Sequence, residues 1–165
     1  MNVSPLLRPL LLWLSLFGGL LLDIAPLADF MQPGRPLWLA LILSFWVLYL
    51  PSGVGFFTAF VLGLFEDVLL GTWFGQHALV LLWVVFCLRL GERRLRRSTL
   101  WWQSQWLLLI FASAQLIHLW LGVLSGSRPL LLSFLLPAFI SALLWPWIFL
   151  LLRSVQRRFN LVEKD

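Results

Sequence analysis

Six ionisable side chains interrupt stretches that are otherwise apolar: Asp23, Arg35, Glu66, Asp67, His77 and His118. Carboxyls and imidazoles are the groups that ligate transition metals or act as acids and bases, and in apolar surroundings each is costly enough to require a reason. The spacing argues against metal chemistry. No HxxxH or CxxC occurs, and the single cysteine, Cys87, lies inside an apolar run with no second thiol to pair with. Nucleophile and nucleotide motifs are missing too: there is no GxSxG, HExxH or Walker sequence, and the polar stretches are too short to build a water-using active site. The expectation is a protein that is not an enzyme, with no metal and no cofactor.

The elements that must position these six groups follow from the composition. Of the 165 residues, 61% are hydrophobic and only 12% charged, and the mean hydropathy is +0.94. A soluble domain needs a charged shell that this chain lacks, so its apolar surface must face lipid. Pro, Gly and polar clusters cut the sequence into six apolar segments, at 6–24, 36–50, 54–70, 77–90, 101–124 and 130–152. The predicted fold is all-α: a polytopic membrane bundle of six transmembrane helices forming one domain over 1–165, with a basic tail from 153 to 165. The second and third spans are short. Pro137 and Pro146 are expected to bend the sixth, with Ser133 and Ser141 at hand for freed carbonyls.

Orientation follows from the Lys and Arg distribution. Arg8, Arg89, Arg93, Arg94, Arg96, Arg97, Arg153, Arg157, Arg158 and Lys164 fall on one side of six spans, and Arg35 and Arg128 on the other. The crowded side marks the cytoplasm, which holds both termini. Fusing the second and third spans would put the arginines from Arg93 to Arg97 opposite the tail, so five spans is disfavoured. Four spans plus a re-entrant hairpin over 36–70 has the same parity and stays open. The basic turn at Arg93 to Arg97 and the tail at Arg153, Arg157 and Arg158 suit anionic lipid headgroups or an acidic cytoplasmic partner, not nucleic acid.

On this topology Asp23, Arg35, Glu66, Asp67, His77 and His118 share one layer near the outer face. An ionised carboxylate there needs an opposite charge or several donors, so Arg35 is expected to pair with Asp67 or Glu66. Adjacent helical residues lie about 100° apart, so Glu66 and Asp67 cannot face the same neighbour equally well. Asp23 and His77 could instead sit in the wet headgroup zone. Small residues four apart, Ala59 with Gly63 and Ala138 with Ala142, allow helices to approach closely, whereas Gly71 and Gly75 straddle a break and shape a turn.

Four stretches together carry a resemblance: Arg35-Pro36-Leu37-Trp38, the turn from Leu50 to Val54, the string from Gly63 to Gly75, and the run from Trp145 to Arg153. In order and spacing the chain resembles the MreD family of bacterial rod shape-determining membrane proteins over nearly its whole length. The spacing of Asp67, Gly71 and Gly75 is the most specific element, and Glu66 beside the Asp is the main departure. The resemblance implies a non-catalytic scaffold subunit of the cell-elongation (Rod) machinery in the inner membrane. Its implied partners are MreC first, then MreB, RodZ, RodA and the elongation-specific transpeptidase. Its implied role is in cell shape and lateral peptidoglycan synthesis. A second resemblance, to the six-span substrate-binding subunits of energy-coupling-factor transporters, implies a small-molecule carrier instead. An outward-open pocket of a few hundred Å³ lined by Arg35, Asp67 and His118 would favour the carrier, and a filled core the scaffold. A lipid-modifying enzyme would need an ionisable pair beside a lipid-accessible cleft.

Overall fold

A computed structural model of the chain describes residues 7–26, 33–50, 54–124, 126 and 131–158, with side chains described from residue 9 in the first helix and from residue 135 in the last. Arg128, Lys164 and the side chains of Arg8 and Ser133 lie outside the described residues. Six helices and no strand occupy them: α1 (Leu7–Ile24), α2 (Trp38–Tyr49), α3 (Phe56–Leu70), α4 (Gln76–Arg97), α5 (Leu100–Leu124) and α6 (Leu131–Arg158). The breaks fall where sequence punctuates the chain. Gly71, with φ of 65°, adopts the left-handed conformation that ends α3, and its N–H returns to the carbonyl of Asp67.

Side-chain bonds fix the direction of each helix. Asp23 near the end of α1 meets the start of α2, and further along both helices Trp46 Nε1 donates to Ser15 Oγ at 2.7 Å. Asp67 near the end of α3 meets the start of α4, while Arg89 of α4 reaches back 2.7 Å to the carbonyl of Val54, just before α3. Gln103 at the start of α5 meets Leu95 late in α4, and His118 late in α5 meets His77 at the start of α4. In α6, Ser141 contacts the entry to α2, and Trp145, one turn on, contacts Gln103. The chain therefore reverses at every helix, so α1 starts at the end of the bundle where α6 finishes.

A helix that is apolar all round belongs in the interior, and α2 follows that rule: every residue from Leu39 to Leu48 is buried. Its main neighbours are α1, α4 and α6, whereas those of α3 are α4 and α1, so α2 and α3 do not form a hairpin packed on itself. The outer faces of the other helices carry the remaining apolar residues exposed, among them Leu21, Phe57, Trp73, Trp101, Trp120, Phe139 and Trp147. Among the described residues two helices, α5 and α6 from Leu135 onward, are long and apolar enough to cross a membrane.

Close approach is supplied by glycine. A Cβ on Gly63 would stand 2.2 Å from Ala78 Cα, so α3 and α4 touch backbone to backbone at that point. Ala59 on α3 and Ala138 and Ala142 on α6 are buried as well.

One expectation is corrected. The stretch from Arg93 to Arg97 is not a turn: α4 continues past Leu90 to Arg97, and α6 likewise runs through Arg153 to Arg158. Arginine is a good helix former, its charge suits the negative C-terminal end of a helix, and Glu92 pairs with Arg89 at 3.3 Å and with Arg96 at 3.6 Å. Helix therefore persists until Ser98. Arg93, Arg94, Arg96, Arg97, Arg153, Arg157 and Arg158 are exposed on these helix ends, at the same end of the bundle.

Candidate functional site

The first N–H groups of a helix have no partner within it and must find acceptors elsewhere. Neither α2 nor α4 begins with a capping side chain of its own, because Leu37 and Gly75 occupy the positions where Ser, Thr, Asn or Asp would serve. Both borrow a carboxylate from the preceding helix. Asp23 accepts from the backbone N–H of Trp38 at 3.1 Å and of Leu39 at 2.7 Å. Ser141 of α6 accepts from Leu37 at 2.8 Å, which completes the start of α2.

Asp67 is more fully engaged. Its Oδ1 accepts from the backbone N–H of His77, from His77 Nδ1 (both 2.8 Å) and from Thr72 Oγ1 (2.9 Å), and its Oδ2 accepts from the N–H of Gly75 at 2.8 Å. The left-handed glycines make this possible. Gly71 and Gly75, at φ of 65° and 92°, turn the chain tightly enough to aim these donors back at a residue one turn earlier. The carboxylate side chain is fully buried, and its donors together with the positive end of α4 stabilise its charge. The His77 ring then meets the His118 ring edge to face at 4.8 Å between centroids.

Arg35 does not pair with Asp67 or Glu66. Its Nη2 donates instead to the carbonyls of Leu22 (3.1 Å) and Ala25 (2.8 Å), which terminate α1 and carry the negative end of that helix. Asp67 had no need of a cation once four donors from its own turn reached it. Asp23 is buried, and both Asp23 and His77 are held by protein atoms.

Glu66, one residue before Asp67, points elsewhere. It lines a chamber of about 410 Å³, together with Asp23, Arg35, His77, Gln115 and His118 and an apolar wall that includes Leu70, Val80, Leu81 and Val84. The expectation of a filled core for a scaffold is thus not met. The chamber has the few hundred Å³ set out above, with Arg35 and His118 in its lining but Glu66 in place of Asp67. Among the described residues no group of three or more His, Cys, Asp or Glu is arranged to hold a metal.

The opposite end holds a polar junction that sequence reasoning did not single out. Gln103, 2% exposed, donates from Nε2 to Tyr49 Oη (3.1 Å) and to the carbonyls of Leu95 (2.9 Å) and Ser98 (3.3 Å), and its Oε1 accepts from Trp145 Nε1 at 3.1 Å. It ties α2, the α4–α5 turn and α6 together. Its signal was an amide at the start of an apolar span, where an unpaired polar group is costly. Arg153 lies over the ring of Phe149, 5.3 Å from its centre, beside this junction.

Residues 5–155 match the family described as rod shape-determining protein MreD. The chain is 35% identical over 161 residues to the rod shape-determining protein MreD of Haemophilus influenzae, covering 93% of this chain and 98% of that one. No solved structure matches it.

Proposed function

The chain belongs to the MreD family of rod shape-determining proteins, and from that premise we propose that it is a non-catalytic, multi-pass scaffold of the inner membrane. In this reading it binds MreC and joins MreB, RodZ, RodA and the elongation-specific transpeptidase in the cell-elongation complex, where it helps direct lateral peptidoglycan synthesis. The observation that carries the reading is the exterior. Large apolar side chains such as Phe57, Trp73, Trp120, Phe139 and Trp147 stand exposed while the buried carboxylates Asp23 and Asp67 are engaged by internal donors. Such a surface is suited to lipid and to the spans of other proteins. All six helices cross the bilayer in this reading, the short α2 doing so inside a collar of the others. The arginine-rich ends of α4 and α6 face the cytoplasm, which puts the capped helix starts and the chamber toward the outer side. The chamber is the feature a carrier would need, but nothing in the comparisons supports a carrier.

Affinity purification from membranes in mild detergent, followed by mass spectrometry, tests the assignment. Co-purification of MreC with wall-elongation enzymes supports it. Recovery of an ATPase pair with a coupling subunit would replace the scaffold by the carrier.

A further inference from the structure

Asp23 and Asp67 are consumed by helix capping, and Gln103 is saturated; Glu66 and Gln115, also buried, are not. Glu66 is 8% exposed and Gln115 is 6% exposed. No hydrogen bond from a described residue reaches either, and both line the same 410 Å³ chamber. Their polar atoms are not sealed inside the protein but reach the chamber with no protein partner, so a group bound there can satisfy both. Its size lies within the range of about 300–1,000 Å³ usual for small-molecule sites, and its pattern of an apolar wall with few polar groups is the usual one.

The charges say which group. The acidic and basic side chains of the lining, its two histidines aside, are Asp23, Glu66 and Arg35, two carboxyls against one guanidinium. Arg35 is already directed at the carbonyls that end α1, and Asp23 at the amides that start α2. The Glu66 carboxyl is therefore the acidic group of the lining left without a protein partner, and Gln115 can add an amide oxygen as acceptor. The complementary ligand has a compact cationic donor at one end and an apolar body for Leu70, Val80, Leu81 and Val84.

We propose that the chamber between α2, α4 and α5 binds an amphipathic primary amine, its ammonium hydrogen-bonded to Glu66 and Gln115 and its hydrocarbon body against the α4 wall. The ammonium has two sources, an ethanolamine lipid headgroup or a free alkylamine. The site does not depend on the scaffold reading, and its test uses purified protein without partners.

The probe is octylamine, compared with octan-1-ol of the same chain length, in thermal unfolding of the full chain in detergent followed by tryptophan fluorescence. Micelle effects are shared by all variants. Octylamine is expected to raise the midpoint of the unsubstituted protein above that in octan-1-ol, from binding about tenfold tighter for the amine. Glu66→Gln should abolish that preference and Gln115→Leu should reduce it, with the ligand-free midpoints confirming that each variant folds. An equal preference in Glu66→Gln, or no preference in the unsubstituted protein, overturns the proposal. Lipid extracts then name the source. Ethanolamine lipid enriched with the unsubstituted protein over Glu66→Gln identifies a headgroup, and an amine preference without lipid enrichment identifies a free amine.

Discussion

The two ends of the bundle solve the same problem with different chemistry. At the end that holds the starts of α2 and α4, carboxylates from one helix receive the backbone donors of the next, so ionised groups meet helix dipoles. At the other end, the neutral Gln103 is shared among a phenol, an indole and two carbonyls. Charge-assisted hydrogen bonds are roughly twice as strong as neutral ones. The first end is thus held by a few strong, sequence-local bonds, and the second by a weaker amide that spans distant segments.

The contrast is sharpest at Asp67. Asp67→Ala leaves the donors of Thr72, Gly75 and His77 without an acceptor and is expected to cost about 3 kcal/mol, seen as the largest fall in thermal midpoint and in membrane abundance. Asp67→Asn should fall partway, because its amide can keep the bonds on one oxygen but must turn a donor toward the N–H of Gly75 or toward His77. Gly63→Ala comes next, at about 2 kcal/mol, because the added methyl meets the α4 backbone and forces the helices apart. Gln103→Leu is expected to cost about 1–2 kcal/mol in the same assay, chiefly by stranding Trp145 Nε1 and two carbonyls. If it matches Asp67→Ala, the distinction between the ends is wrong. Changing Arg93, Arg94 and Arg97 together to Gln should move the midpoint least, within about 0.5 kcal/mol. In a Cys87→Ser background, Trp73→Cys should be labelled by an impermeant thiol reagent from outside the cell. Labelling only after the membrane is opened would invert the proposed orientation.

What the sequence made legible was local. Apolar run lengths and the punctuation at Gly71 and around Pro26 account for six helices and many of their ends, and the spacing of Asp67, Gly71 and Gly75 marked the turn between α3 and α4. The partner of Asp67 was not legible, because an expectation built on side-chain charge overlooked the backbone N–H groups at the start of α4, which are nearer along the chain than Arg35. Likewise, Arg35 reads as a countercharge until the carbonyls ending α1 are seen beside it. Breaker counting stopped α4 at its first arginines, although arginine continues a helix readily. Gln103 and Gln115 look alike as amides in α5, and only the packing separates a saturated junction from an open chamber wall.

The borrowed caps also bear on how the protein carries load. Sliding one of these helices past its neighbour by a turn, about 5.4 Å, would break every bond of the cap at once. A pull on one end of α3 or α4 is therefore resisted as by a latch, and is passed to the neighbour as tilt instead of slip. Under the proposed scaffold role, such a coupling lets a tug at one face be felt at the other.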